Sequence, residues 1–223
     1  IRDSSVTGVQ TCALPISYTC RVQSEYQLSP VDAKYVVDYT VSGNGNVNVN
    51  CSLIPQNDTL PLLPRFGVTF TLKKDYEQMN WFGRGPHESY IDRKTSAFVG
   101  LYSGSVGEQY FPYDRPQENG NKTDIRWMTL TDKTGAGVKI TGNPLFSASA
   151  YLFPTDDLSE PDNKKHQRHI SDIQPKDMVT LNIDFKQMGV GGDTSWGAFP
   201  HQQYLIPAQN MTFSFNICPL AKE

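Results

Sequence analysis

Cysteine is scarce in this chain: four in 223 residues, at positions 12, 20, 51 and 218, with no C-x-x-C pair among them. That spacing offers neither a zinc site nor a disulfide framework. Charge of one sign is also lacking. Lys and Arg number 20 against 23 Asp and Glu, and no basic run exceeds two residues, so a nucleic-acid partner has no support. No apolar run approaches the ~20 residues that a membrane span requires. No window of helical length carries a sustained i, i+3, i+4 apolar stripe, and no internal repeat is visible. What is present is 11 Tyr, 11 Phe and 3 Trp, punctuated by 17 Gly and 15 Pro. That mixture suits a β protein with many turns. At this length one large domain has ample residues for a core.

Strand signals recur along the chain. Residues 34–41 are rich in β-branched and aromatic side chains. An Asn-Gly turn follows at 44–45, and Val47, Val49, Cys51 and Leu53 then alternate with Asn48, Asn50 and Ser52. Cys51 reads as a small buried hydrophobe in that alternation. Further candidates are 66–72, 79–82, 97–102, 125–130, 138–141, 146–152, 179–185 and 212–217. One short helix is expected after Pro154, with Thr155 as N-cap and two aspartates in its first turn. The fold class is therefore all-β and mostly antiparallel.

Residues 1–17 stand apart. Residues 6–16 resemble the in-frame translation of a common sequencing-adapter oligonucleotide, and the stretch lacks strand or helix periodicity. It also lacks the apolar core of a signal peptide. It is set aside here, the alternative being a native irregular arm, and the fold is sought in 18–223.

Candidate chemistry lies in loops. After the buried-strand run 179–185 comes Met188-Gly189-Val190-Gly191-Gly192-Asp193-Thr194-Ser195-Trp196-Gly197. Three glycines in four residues suit positive φ or close approach to another surface. Thr194 and Ser195 can cap the loop backbone, and Asp193 can close an Asx turn. Trp196 either folds back into the core or stands out as a flat apolar platform. Glu88 and Glu118 also sit in Gly/Pro loops, where they either do acid–base work or accept hydrogen bonds that shape those loops. Arg93, Arg84 and Arg126 are the expected partners. His87 and His201, in or beside Gly-rich loops, can touch a ligand or make a structural hydrogen bond. His166 and His169 would share a helix face, but Lys164, Lys165 and Arg168 repel a cation there, so no metal is assigned.

Trp81-Phe82-Gly83-Arg84-Gly85-Pro86-His87-Glu88-Ser89-Tyr90-Ile91-Asp92-Arg93 resembles the W-x-G-x-G-P-x-E-x-Y-x-D-R signature of the last domain of family 2 β-galactosidases. Pro116-Gln117-Glu118-Asn119-Gly120 and the 189–196 loop match further blocks in the same order. The resemblance implies a large antiparallel two-sheet super-sandwich of galactose-mutarotase-like architecture, belonging to a longer multidomain chain. It implies hydrolysis of terminal β-D-galactosides such as lactose, with the two catalytic glutamates on a preceding barrel domain. Residues 18–223 would then hold no catalytic residue. Trp196 would stack on the sugar or on free glucose in the aglycone subsite, aided by Asp193, Ser195, His201 and His87. Gly189, Gly191, Gly192, Glu88, Glu118 and Arg93 would shape the loops. Magnesium and sodium, used by the family, would be held by other domains, leaving no cofactor in this one. The expected partners are the barrel domain and a second copy of the enzyme, with no nucleic acid and no membrane. The compartment stays open between cytoplasm and periplasm. The alternative is a free-standing mutarotase-like epimerase or carbohydrate-binding module, with a His/Glu pair on an open sheet.

Overall fold

The computed structural model describes residues 19–159, 169–194 and 196–222. They form ten strands and five short 3-10 turns, with no α-helix among the described residues. The strands are β1 (Thr19–Leu28), β2 (Ala33–Ser42), β3 (Val47–Pro55), β4 (Arg65–Leu72), β5 (Gln78–Gly85), β6 (Phe98–Ser105), β7 (Lys122–Thr131), β8 (Gly137–Tyr151), β9 (Val179–Gln187) and β10 (Met211–Leu220). Each pairing is antiparallel. The hydrogen-bonded order is β1-β2-β3-β10-β8-β7-β5-β6, with β9 joining β8 and β4 joining β9.

Strand β8 folds this network into two layers. Its first part, Gly137 to Gly142, pairs with β10; its last part, Ser147 to Tyr151, pairs with β9. The β9–β4 pair then covers the face of β2 and β10. Phe66 of β4 meets Tyr35 of β2 edge-on at 6.0 Å, Phe70 meets Phe215 at 5.9 Å, and Phe185 of β9 stacks on Phe213 at 5.6 Å. The core therefore fills from alternate residues of both layers, as side-chain period two demands.

Local chemistry fixes the elements. The 42–46 turn closes β2 onto β3 through the Ser42 N–H on the Asn46 carbonyl, with Gly45 at φ +85°. Only glycine takes that angle without strain. Val49, Cys51 and Leu53 are buried, in the alternation read from the sequence. Strand β9 is buried on both faces. Val179, Leu181 and Ile183 enter the main core, while Asn182 and Asp184 face the other way and are satisfied by Ser149, Thr155 and Arg65.

Three expectations need correction. Strand β1 was missed: its sequence is mostly polar, and its pairing with β2 rather than any apolar pattern makes it a strand. Segments 138–141 and 146–152 are one strand, β8, which changes partners rather than ending. After Pro154 there is a four-residue 3-10 turn, Thr155–Leu158, whose N-cap is Pro154 with no side-chain cap, so Thr155 lies inside it. Residues 1–17 and His166 lie outside the described residues.

Candidate functional site

Strand β9 delivers the glycine loop to one end of the molecule. Met188 N–H donates to the Pro64 carbonyl at 2.9 Å and Gly189 N–H to the Tyr204 carbonyl at 3.0 Å. Gly191 N–H donates to Asp92 Oδ2 at 2.8 Å. The glycines serve close approach rather than an unusual backbone angle. A Cβ on Gly189 would lie 2.6 Å from Asp92 Oδ2, and one on Gly192 would lie 2.2 Å from the Ala198 carbonyl oxygen. None of Gly189, Gly191 and Gly192 has positive φ; the left-handed residue of the loop is Gly197, at φ +91°. Two arms of the loop thus touch at 192 and 198, and the segment between them projects as a tip.

Trp196 stands on that tip. It is 92% exposed, so it plugs nothing within this chain. Its backbone N–H donates to Thr194 Oγ1 at 3.4 Å. Thr194 thus caps the loop locally. Asp193 Oδ1 meets His201 Nε2 at 2.8 Å, clasping the outgoing chain to the incoming one. Phe199 is exposed on the same segment. Ser195 lies outside the described residues.

Asp92 was not singled out from the sequence, though it belongs to the D-R end of the signature block. It sits in a turn closed by mutual Tyr90 and Arg93 backbone hydrogen bonds of 3.0 and 2.9 Å. One oxygen holds Gly191, and the other, Oδ1, is buried without a hydrogen-bond partner among the described residues. Its neighbour Arg93 points to Glu88, so this single turn braces the Trp196 loop and the Glu88 loop together.

Both glutamates are engaged. Glu88 Oε2 accepts the Gly120 N–H at 2.7 Å, and Oε1 accepts Arg93 and the Tyr113 hydroxyl. That is the loop-shaping arrangement, with Arg93 as the expected partner. Glu118 lies near the Tyr90 and Tyr151 hydroxyls, at 3.4 and 3.5 Å, and 3.7 Å from Arg65. It holds side chains rather than backbone amides, and its arginine is Arg65, which sequence reasoning overlooked. Burial pushes the Glu118 carboxyl above its ordinary range, while Arg65 pulls it back. Arg65 also pairs with Asp184, whose own carboxyl burial pushes upward. Arg84 goes instead to Asp124 at 2.5 Å and to the Lys94 and Ala97 carbonyls. Arg126 lies over the Phe82 ring and donates to the Asp124 carbonyl.

The histidines are separate. His87 Nε2 pairs with Ser96 Oγ at 3.0 Å, and His201 belongs to the tip. His169 is extended and caps the 3-10 turn at Ile170–Asp172, with its ring accepting the Ser171 N–H. Among the described residues no three His, Cys, Asp or Glu side chains converge as metal ligands, and no helix is long and apolar enough to cross a membrane. Cys20, Cys51 and Cys218 are free.

Comparison with known proteins identifies the family. The family model described as beta galactosidase small chain matches residues 2–217. The beta-galactosidase of Priestia megaterium is 41% identical over 189 residues, which cover 84% of this chain and 18% of that one. That of Pseudoalteromonas haloplanktis is 32% identical over 215 residues, 96% of this chain and 19% of its own. A galactose mutarotase related enzyme from Lactobacillus acidophilus superposes at a TM-score of 0.41 with 10% identity, covering 92% of this chain and 69% of its own. This chain thus spans less than a fifth of the length of those two relatives. With a family model across nearly its whole length, the chain belongs to the β-galactosidase small chain family.

Proposed function

We propose that this chain is the small-chain portion of a β-galactosidase that hydrolyses terminal β-D-galactosides such as lactose. In this reading the acid and nucleophile glutamates stand on a barrel portion outside the sequence, and this portion completes the pocket at the aglycone side. The observation that carries it is Trp196, 92% exposed on a loop tip that is pinned at its base. An indole left in water is unfavourable, and an exposed aromatic of that size is suited to a ligand or a partner surface. The commitments of Glu88 and Glu118 support the same reading. Retaining glycosidases need two carboxylates about 5–5.5 Å apart across a sugar. Here one is held by three donors and the other lies beside Arg65. The epimerase alternative needs a His/Glu pair, and His87 and His201 pair instead with Ser96 and Asp193.

The test is Trp196→Ala in the complete enzyme. Stacking that removes roughly 60–80 Å² of apolar surface from water is worth about 1.5–2 kcal/mol before ordering costs. The KM for lactose should rise about ten-fold or somewhat more, with a smaller change in kcat, because the platform holds ground and transition states alike. An unchanged KM would remove Trp196 from the pocket.

A further inference from the structure

Among the described residues three strands have a single neighbour and so lie at an edge: β1, β4 and β6. An edge strand presents unpaired N–H and C=O groups, which proteins blunt with charge, proline or a bulge. Strand β1 carries charge: Arg21 donates to Asp38, and Lys34 of β2 donates to Glu25. Strand β4 opens on Arg65, paired with Asp184, and its register slips at a bulge between Phe66 and Gly67. Strand β6 has none of these devices. It reads Phe98-Val99-Gly100-Leu101-Tyr102-Ser103-Gly104-Ser105, eight residues without charge or proline, and its register on β5 is unbroken.

The side chains repeat the contrast. Leu101 lies opposite Phe82 of β5, and Phe82 lies opposite Trp127 of β7. The two inner rings of that row are shielded from water by cationic side chains, Arg126 over Phe82 at 5.3 Å and Lys139 over Trp127 at 5.1 Å. At the edge the row ends bare. Leu101 is 70% exposed, Phe98 is 75% exposed, and Val99 is exposed between them. An apolar patch of this kind on an unblunted edge marks a contact surface.

We propose that β6 is an interior strand of the complete enzyme. An extended segment from the portion outside this sequence pairs along its free edge and sets apolar side chains on Phe98, Val99 and Leu101. This rests on the reading above that the chain is one part of a β-galactosidase. The chain spans less than a fifth of the length of the two relatives described, so most of such an enzyme lies outside it. Two observations select β6 as a place where that portion docks. Of the three edges it alone is left unblunted. Its start is also tied to the Trp196 loop. Arg84 donates to the Lys94 and Ala97 carbonyls, which lie between the Asp92 turn and Phe98, and Asp92 holds Gly191. One body can therefore meet both the tip and the edge. With no charge on β6, main-chain hydrogen bonds supply the affinity and alternating apolar side chains set the register.

Hydrogen exchange of the complete enzyme, read by mass spectrometry on peptides covering residues 98–105, tests the pairing. A free antiparallel edge leaves roughly every second amide without a partner, so about half of the β6 amides would exchange as fast as a loop. Full pairing should slow that half by about ten-fold or more. Leu101→Lys, a charge of the kind that guards a free edge, should return it to fast exchange. Should Leu101→Lys fail to fold, exchange in the parent enzyme decides. Leu101→Cys carrying a benzophenone maleimide identifies the occupant: cross-links should land on the enzyme outside these 223 residues. Fast exchange in the parent enzyme, unchanged protection in a folded Leu101→Lys, or cross-links within these 223 residues would each overturn the proposal. So would cross-links to a second copy, identified in a mixture of isotope-labelled and unlabelled enzyme. The readout needs no substrate. An unchanged KM in Trp196→Ala would leave the β6 pairing standing, and fast exchange at β6 would leave the Trp196 reading standing.

Discussion

Trp81 and Trp196 both lie beside glycines, and their fates are opposite. Trp81 is 1% exposed and Trp196 is 92% exposed. Trp81 sits on an inward position of β5, whose burial alternates residue by residue. Its indole N–H donates to the Arg84 carbonyl at 2.9 Å, and its ring lies against Tyr102 at 5.5 Å. Trp196 stands between the loop arms that meet at Gly192 and Ala198, outside any strand, so no strand partner draws it inward. A strand's pleat decides the first case, and a loop's clamp decides the second. One tryptophan holds the molecule together; the other is held out by it.

The largest expected effect separates the two in stability. Trp81→Ala should cost about 3–5 kcal/mol, the usual range for emptying a buried aromatic site. Trp196→Ala should stay within about 0.5 kcal/mol, as surface changes do. Denaturant midpoints of the two variants at equal m-value check this directly. A comparable loss in both would mean that Trp196 is packed in solution.

How far this contrast was legible depends on the type of signal. Apolar alternation showed β3, β4 and β10 in the sequence, because side-chain period two is a local property. It could not show β1, whose polar run is a strand through pairing with β2. The Gly189–Trp196 block was conspicuous, but the three glycines serve contacts to Asp92 and Ala198, far away or across the tip, rather than positive φ. Asp92 and Arg65 were invisible as site residues. Each acts through a partner many positions distant, and one sequence carries no record of such a pairing.

Lys122, buried over the Trp81 ring, yields the second prediction. Desolvation lowers the Lys122 ammonium to about 8 in the folded chain, from the ~10.4 of an exposed lysine. Between those values the unfolded chain binds more protons than the folded one, so stability rises with pH. From pH 7.5 to 9.5 the contribution of Lys122 alone should be a gain of about 1–2 kcal/mol. Buried Cys51 acts the other way from about pH 8.5, and the buried tyrosines Tyr35, Tyr90 and Tyr151 above about pH 10, since burial raises their pKa. Cys51 and the tyrosines are common to both chains, so the stability difference between the parent and Lys122→Met should move by about 1–2 kcal/mol in the parent's favour across that window. A difference that does not change with pH would show that Lys122 is solvated.

At the tip, a third change tests the clamp rather than the ring. A Cβ at Gly192 meets backbone at Ala198, which cannot rotate away. Gly192→Ala should displace the Trp196 tip while leaving the sandwich intact. In the complete enzyme the KM for lactose should rise roughly three- to ten-fold, since misplacing a positioning group by about 1 Å is costly. The thermal midpoint should barely move. A large stability loss with unchanged KM would mean that the clamp serves the fold alone.

The smallest effect concerns the Asp193–His201 clasp. Its side chains are 79% and 56% exposed, so the pair is worth only about 0.2–1 kcal/mol. His201→Ala should therefore raise the KM for lactose by less than about five-fold. What matters is the route of that effect. A histidine that touches the sugar itself loses the same binding whether or not the indole is present. A histidine that only holds Asp193, and through it the tip, has nothing left to position once Trp196 is gone. A double-mutant cycle with Trp196→Ala separates the two. The geometry favours the second, because His201 Nε2 is already engaged with Asp193 Oδ1 at 2.8 Å. The His201→Ala effect should then vanish in the Trp196→Ala background. Additive losses would instead make His201 a direct sugar contact.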